Sequence, residues 1–195
     1  MNISVFCGAS LPRSEQITEA ARQLGRAIAR GGHTLLYGGS NLGLMGATSG
    51  AALQEGGRVV GVIPTFFSDD IIHSQPVSEL VRVRTLAERK EYLIAHSDAF
   101  IALPGGIGTL DEVFEVLVAN QLGQCSKPMG LLNTQGFFNP QIEMLRRMES
   151  EGLYNLTNAR YLIVDDQPEG LLQMLASFVP LPADGPVARR LRTKA

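Results

Sequence analysis

Residues 99–112, AFIALPGGIGTLDE, join an apolar run to the start of a helical pattern through a turn that contains three glycines. The run AFIAL is apolar without alternation, which is typical of a strand buried on both faces. After the glycines, apolar residues continue at helical spacing to about residue 122. A buried strand that leads through glycines into a helix predicts one unit of a parallel sheet covered by helices.

The same order of strand, turn and helix recurs on both sides of this stretch. Further strands are predicted at ISVFC, TLLY, RVVGVI, VRVR, PMGLL and YLIV. A polar, irregular connection is predicted between RVVGVI and VRVR. Helices are predicted near residues 17–28, 44–55, 85–97, 113–122, 139–151 and 169–178. This alternation predicts an α/β fold, a Rossmann-like doubly wound parallel sheet with helices on both faces.

Length and composition indicate one domain. The chain has 195 residues, of which 45% are hydrophobic and 18% are charged. We expect a single Rossmann-like nucleotide-binding domain at 1–180, and a flexible, solvated tail at 181–195, where the sequence turns proline-rich and then basic. A net charge of −2 argues against binding to nucleic acid, which favours a basic surface. No apolar run approaches the roughly 20 residues of a membrane span, so no membrane partner is expected.

The cysteines and histidines predict neither a disulfide nor a metal site. Cys7 and Cys125 lack C-x-x-C spacing, and the N-terminus lacks the features of a signal peptide, so we expect a cytoplasmic protein. Cys7 is expected to be a buried small residue and Cys125 a free thiol. Asp69 and Asp70 are interpreted as a loop pair. No metal-ligand spacing relates the histidines, His33, His73 and His96.

Three glycine-bearing turns follow predicted strands, where sheets of this kind bind ligands. They are CGAS, YGGSNLGLMG and LPGGIGT. None matches the dinucleotide fingerprint G-x-G-x-x-G or the Gly-Lys-Ser/Thr phosphate loop, which disfavours NAD and FAD. Gly105, Gly106 and Gly108 leave room for an anion, most often phosphate, at a helix N-terminus. The alternative is a strand-to-helix turn that requires glycine for its geometry alone.

Two interpretations of Glu112 stay open. Thr109 to Glu112 fits the S/T-x-x-E capping box, in which Thr109 caps the helix and Glu112 bonds back to the Thr109 N–H. A carboxylate beside a bound phosphate would instead require a nearby cation. Arg89, three residues after Leu86 on a predicted helix, lies at the edge of the apolar face and could bind phosphate or pair with Glu112. Arg89 could equally extend past Leu86 to solvent, and the orientation of Lys90 on this helix is more ambiguous.

These motifs resemble those of the LOG ("Lonely guy") family of cytokinin riboside 5′-monophosphate phosphoribohydrolases, long labelled lysine decarboxylases. PGGIGTLDE is similar to the family motif PGGxGTxxE, YGGSNLGLMG resembles its GGGxxGLMG loop, and ERK its arginine-lysine pair. The likeness runs from VFCGAS to about residue 138. Two positions depart from the family pattern: Ser40 replaces a glycine, and Leu86 and Ala87 replace a common Met-His pair. The second departure bears on base preference.

The resemblance implies hydrolysis of a nucleoside 5′-monophosphate, AMP or a cytokinin riboside monophosphate, to free base and ribose 5-phosphate. It implies no cofactor, a homodimer with active sites near the subunit interface, and Arg89 and Glu112 as the catalytic pair. The residues expected to hold the substrate and its phosphate lie on the glycine turns and beside Arg89: Gly105, Gly106, Gly108, Thr109, Lys90, Gly8, Ser10, Gly38, Gly39, Gly43 and Met45.

Chemistry gives the catalytic pair distinct expected roles. The transition state of glycosidic cleavage has oxocarbenium character, so Glu112 near the ribose could stabilise that charge or activate the attacking water. Arg89 is too basic to act as a general acid, so it would bind phosphate or ribose and position Glu112. The alternative is a nucleotide carrier or sensor that binds without cleavage. A pyridoxal-phosphate decarboxylase would require a Schiff-base lysine, which nothing around Lys90 or Lys127 suggests.

Overall fold

The computed structural model describes residues 1–68, 71, 77–154 and 160–180. The expectations for the 181–195 tail, for the Asp69 and Asp70 pair and for His73 lie outside these residues. Within them, no helix has the length and apolar character needed to cross a membrane.

The described residues form one sheet of seven parallel strands with six α-helices. The strands are β1 Asn2–Phe6, β2 Thr34–Tyr37, β3 Arg58–Pro64, β4 Glu79–Val83, β5 Ala99–Ala102, β6 Met129–Leu132 and β7 Leu162–Asp165. The helices are α1 Glu15–Arg30, α2 Gly43–Gln54, α3 Leu86–His96, α4 Ile107–Gln121, α5 Asn139–Ser150 and α6 Pro168–Ala176. The strand order β4-β3-β2-β1-β5-β6-β7 confirms the predicted Rossmann-like, doubly wound topology.

Helices cover both faces of the sheet, and β1 at its centre shows why. Successive residues of a strand point to opposite faces. Ile3 and Val5 pack into the core formed with α1, α2 and α6, while Phe6 packs into the core formed with α3, α4 and α5. The Phe6 ring stacks on Phe100 of β5 at 5.9 Å between centroids. Because both faces of β1 are covered, Ile3 to Phe6 are all buried, as expected for a strand in the middle of such a sheet.

The order of the strands reverses between β1 and β5. From β1 the chain adds β2, β3 and β4 on one side, and it then crosses over to add β5, β6 and β7 on the other. The carboxyl ends of β1 and β5 therefore lie side by side while their loops run in different directions. Gly8 donates its backbone N–H to the Pro104 carbonyl at 3.3 Å, which joins the two loops. Such a switch point is where open α/β sheets bind ligands.

Candidate active site

A buried ion pair lies at this switch point. Arg89, in the first turn of α3, donates from Nη2 to Oε1 of Glu112, in the second turn of α4, at 3.0 Å. Their side chains are 17% and 10% exposed, so the surrounding protein excludes most water from the pair. The buried Nε of Arg89 has no hydrogen-bond partner among the described residues. The structure thus brings together the two residues expected to act as a pair.

Burial makes Glu112 an unusually weak acid. The loss of water around the carboxylate raises its pKa, the positive charge of Arg89 opposes that rise, and the resulting pKa is about 7. A carboxyl group with a pKa of 7 is half ionised at neutral pH, whereas an exposed glutamate would be almost fully ionised. Such a group is suited to proton transfer or to charge stabilisation in a reaction near neutral pH.

The capping box expected at Thr109 is wrong. Helix α4 starts at Ile107 with Gly106 as its N-cap, so Thr109 lies inside the first turn and cannot cap it. A capping arrangement occurs instead at α3, where Thr85 accepts from the Glu88 N–H at 3.0 Å. Because α4 begins one turn earlier than a Thr109 cap requires, Glu112 is free of the helix end and points to Arg89.

A cavity of about 320 Å³ contains this pair. Its polar side chains are few, and within the described residues Glu112 is the one acidic group on its wall and no histidine lines it. Much of the remaining wall is apolar, and these residues were not expected from the sequence: Cys7, Leu42, Ile63, Phe67 and Ile71. Leu86, which the sequence connected with base preference, also lines the cavity. The cavity therefore combines one charged wall with a largely apolar one, which is typical of pockets for ring-bearing ligands.

The apolar wall comes from segments without a clear sequence signal. Phe67 and Ile71 lie on the connection between β3 and β4, which the sequence marked as irregular, and the Asn41 N–H donates to the Ile71 carbonyl at 2.6 Å. Cys7 is buried, as expected, and its position directly after β1 was the available clue that it faces the site. Burial raises the pKa of its thiol, and the charge of Glu112 raises it further.

The expected residues of the second glycine turn have different neighbours, and Gly38 lies beside the Arg89 guanidinium. A Cβ at Gly38 would stand 2.9 Å from Met45 Sδ and 3.4 Å from Arg89 Nη1, so a side chain there would displace both. Gly39 and Gly43 have positive φ angles of 79° and 56°, which favour glycine. Gly38 and Met45 line the cavity. Ser40, the departure from the family loop, accepts from the Leu42 N–H at 3.1 Å and fits the turn without strain.

A second cavity of about 350 Å³ adjoins the first, and Ala9 lines both. Four of the expected binding residues lie on the second wall: Gly8, Ser10, Gly105 and Gly106. Gly108 and Thr109 lie on the first. The expected phosphate-binding residues are thus divided between two neighbouring spaces around the N-terminus of α4.

The glycines of the PGGIGT motif have different surroundings. A Cβ on Gly105 would lie 2.1 Å from Thr109 Oγ1, so this glycine is required by the protein's own packing. A Cβ on Gly106 or Gly108 would meet nothing within 4 Å. Both are exposed at the first turn of α4, where backbone N–H groups have no partner within the helix. These two positions leave open space at the end of a helix that favours anions.

Lys90 lies outside both cavity walls. Its Nζ pairs with Asp111 Oδ2 at 2.9 Å and with Glu115 Oε2 at 2.6 Å, which joins α3 to α4. Asp111, for which the sequence indicated no role, is therefore one of its partners. Lys127 donates to the Ile94 carbonyl at 2.7 Å, near the C-terminus of α3. Both lysines of the described residues thus stabilise α3.

The chain is similar in sequence to known proteins. A model of the family described as possible lysine decarboxylase matches residues 45–175. The cytokinin riboside 5′-monophosphate phosphoribohydrolase LOG5 of Arabidopsis thaliana is 36% identical over 187 residues, which are 96% of this chain and 82% of that protein. The cytokinin riboside 5′-monophosphate phosphoribohydrolase LOG of Oryza sativa subsp. japonica is 39% identical over 178 residues, 91% of this chain and 74% of that protein.

Solved structures share the fold. The molybdenum cofactor binding protein of the phototrophic bacterium Rippkaea orientalis is 25% identical and superposes with a TM-score of 0.68, over 90% of this chain and 95% of that one. Enzymes and a cofactor-binding protein thus share this architecture, so the fold by itself does not distinguish hydrolysis from binding.

Proposed function

The chain belongs to the LOG family and is a nucleotide phosphoribohydrolase, and from that premise we propose that Arg89 and Glu112 carry its chemistry. The reaction is hydrolysis of the N-glycosidic bond of AMP or a cytokinin riboside monophosphate, which yields the free base and ribose 5-phosphate. The observation that carries the proposal is the buried Arg89–Glu112 ion pair, set in a cavity beside the N-terminus of α4.

The phosphate is held at the first turn of α4. Gly106 and Gly108 have open space where a Cβ would stand, and the backbone N–H groups there lack partners within the helix. The helix dipole adds roughly half a positive charge at this end. Gly105 acts differently, because it allows Thr109 to pack against the turn. Lys90 contributes indirectly, since its two ion pairs hold α3 against α4.

Glu112 acts on the sugar. As the glycosidic bond breaks, positive charge develops at C1′, and an ionised carboxylate close by would stabilise it in a water-poor cavity. The same carboxylate can orient the attacking water and accept its proton, so that the hydroxyl joins C1′ as the bond from C1′ to the base breaks. The base takes up a proton from solvent and Glu112 returns its proton to solvent, so one water is consumed per turnover. A pKa of about 7 keeps a large fraction of Glu112 ionised at neutral pH.

Arg89 positions Glu112 and binds the substrate. Its guanidinium holds Glu112 Oε1 at 3.0 Å and favours the ionised form of that carboxylate. The unpaired Nε–H gives the guanidinium a further donor, and a buried donor without a partner costs free energy that a bound acceptor would recover. The fork of the guanidinium suits a phosphate or the ribose hydroxyls in a way that lysine would not.

Two other functions are less well supported. A carrier that binds without cleavage would use the same cavity, and the likeness to a molybdenum cofactor binding protein favours it. The phosphoribohydrolases, however, are the more similar in sequence over most of the chain. A lysine decarboxylase would require a free lysine in the cavity, whereas Lys90 and Lys127 are bound to carboxylates and carbonyls outside it.

The protein is further proposed to act in the cytoplasm as a homodimer. Cys7 and Cys125 are both free and buried, which suits a reducing compartment. The homodimer is proposed from the resemblance to the LOG family, and light scattering can measure the oligomeric state in solution.

The test is incubation with AMP and with N6-substituted AMPs, followed by chromatography of the products. We expect free base and ribose 5-phosphate in equal amounts. Glu112→Gln should bind AMP without releasing base, while Glu91→Gln, the same change at an exposed position of α3, should retain activity. Calorimetric binding of AMP with no product after long incubation would favour the carrier instead.

A further inference from the structure

Two residues close to the second cavity depart from the usual local patterns of backbone structure. Gln135 has φ 56° and ψ 23°, and it is the one non-glycine residue with positive φ among those the structure describes. Ser14 occupies the N-cap of α1, a position that serine favours, yet its side chain caps no helix N–H. Each arrangement costs free energy locally, and a tertiary interaction that involves both residues would offset that cost.

The two side chains compensate for each other. Ser14 donates its hydroxyl to Gln135 Oε1 at 2.9 Å, although the residues are 121 positions apart in the chain. The other end of the same amide, Gln135 Nε2, donates to Gln16 Oε1. The left-handed turn at Gln135 therefore presents its amide to the start of α1, where it bonds two side chains at once. These three residues are named the Gln135 clasp.

The clasp lies at the end of a loop that forms part of the cavity. The loop 7–14 starts at the switch point, where the Gly8 N–H is bound to Pro104 and the Gly8 carbonyl to Leu44. Its middle, with exposed Leu11, lines the cavity that also contains Gly105 and Gly106. Phe137, two residues after Gln135, lines the same cavity. The clasp thus joins the two loops that face each other beside the motif glycines.

We propose that Gln135 is a positioning residue, which holds the loop 7–14 against the phosphate end of the bound nucleotide through Ser14 and Gln16. The inference rests on the proposed function for its ligand, but the clasp itself is a property of the free protein. A loop fixed before binding loses less conformational entropy when the phosphate arrives. The effect falls on ground state and transition state alike, because the phosphate does not react, so the clasp acts on KM and not on kcat.

The variant Gln135→Gly tests the clasp without disturbing the turn. Glycine adopts positive φ without strain, so the melting temperature should equal or exceed that of the wild type. The KM for AMP should nonetheless rise about fivefold, as expected for two exposed hydrogen bonds, with kcat within about twofold. A merely structural residue would not separate stability from KM in this way. Ser14→Ala should raise KM as well. In the variant that carries both substitutions, the free-energy change calculated from KM should be smaller than the sum of the changes in the two single variants.

Gln124→Gly is the matched control, because Gln124 follows α4 at the end remote from the cavity and, like Gln135, lies outside the α-helices. Its KM should stay at the wild-type value. Amide hydrogen exchange in the absence of nucleotide supplies the second readout, and the amides of the loop 7–14 should exchange faster in Gln135→Gly than in either the wild type or the control.

The outcomes separate the clasp from the reaction. If the wild type releases base but Gln135→Gly has an unchanged KM and unchanged amide exchange in the loop 7–14, the positioning role of the clasp is refuted. A fall in melting temperature together with kcat would assign Gln135 a structural role and overturn it as well. A wild type that released no base would overturn the reaction alone, and the exchange measurement would still decide the clasp.

Discussion

Removal of the Arg89 charge should move the pH dependence of catalysis upward. Burial raises the pKa of Glu112, and the guanidinium at 3.0 Å is the largest opposing influence, so the two together leave the pKa at about 7. Arg89→Met removes the charge and keeps an unbranched side chain of similar length in the cavity wall. The carboxyl of Glu112 would then be buried without its cation, which favours the protonated form.

The size of the shift follows from the geometry. Two unit charges about 4 Å apart attract by about 4 kcal/mol at an effective dielectric constant of about 20, and a neighbouring cation typically lowers a carboxyl pKa by about 1 to 3 units. Without Arg89 the pKa of Glu112 should therefore rise from about 7 to between about 8 and about 10. At neutral pH the ionised fraction would fall roughly 5- to 500-fold.

The assay is kcat/KM for base release from AMP, measured from about pH 5.5 to about pH 9.5. Because the ionised carboxylate is the active form, wild-type kcat/KM should rise with pH through about 7 and then level off. In Arg89→Met the rise should come at higher pH, whereas Arg89→Lys keeps the charge and should keep the inflection near that of the wild type. Lost substrate contacts lower the whole curve without moving its inflection, so the two effects are separable.

Lys90→Met is the matched control for this experiment. Lys90 is the next residue on α3 and also carries a positive charge, but it pairs with Asp111 and Glu115 and has only a minor influence on Glu112. Its inflection should move much less than that of Arg89→Met. Equal inflections in wild type and Arg89→Met would refute the coupling, and activity that falls as pH rises through 7 would refute the role of Glu112 as a carboxylate.

Three further predictions concern the same site. Glu112→Gln should lower kcat by roughly 10³-fold or more and leave the Kd for AMP within about threefold by calorimetry; near-normal turnover would exclude Glu112 from the chemistry. Folding raises the pKa of Glu112 from 4.5 to about 7, so the folded state binds this proton more tightly than the unfolded chain does. The free energy of unfolding of the wild type should therefore fall by up to about 3 kcal/mol as the pH rises from 4.5 to about 7. Denaturant titrations of Glu112→Gln should lack that component. Gly105→Ala should lower the melting temperature because its Cβ would strike Thr109 Oγ1, whereas Gly106→Ala should melt like the wild type and raise the KM for AMP; equal behaviour of the two variants would argue against an open phosphate site at Gly106.

The fold could be predicted because its determinants are repeated along the chain. Most strands of the sheet are short apolar runs, and most helices show apolar residues at helical spacing, so seven strands with helices between them were expected and found. The ends of the helices were less predictable. Helix α4 begins at Ile107, inside the glycine motif, because glycines and a following threonine fit either the last residues of a loop or the first turn of a helix.

Two nearly identical tetrapeptides show why the site was only partly predictable. TLAE at 85–88 and TLDE at 109–112 both fit a capping box. In the first, Thr85 caps α3 and Glu88 accepts from the Arg84 N–H at 2.8 Å. In the second, the helix has already begun at Ile107, so Glu112 does not cap it and instead accepts a hydrogen bond from Arg89. The pattern specifies what a threonine and a glutamate can do at a helix start, but tertiary packing decides where that start lies.

Most of the apolar wall of the cavity had no sequence signal, and we propose that this wall contacts the base. Periodic patterns report which residues face the core, whereas Phe67 and Ile71 come from an irregular connection and Leu86 from the exposed first turn of α3. Leu86 also replaces one residue of the Met-His pair that the family commonly has. An apolar wall recognises a base by shape and contact area, and it favours apolar substituents over hydrogen-bonding ones. We therefore propose that the charged wall carries the hydrolysis and that the apolar wall, which includes Leu86, decides the choice of base.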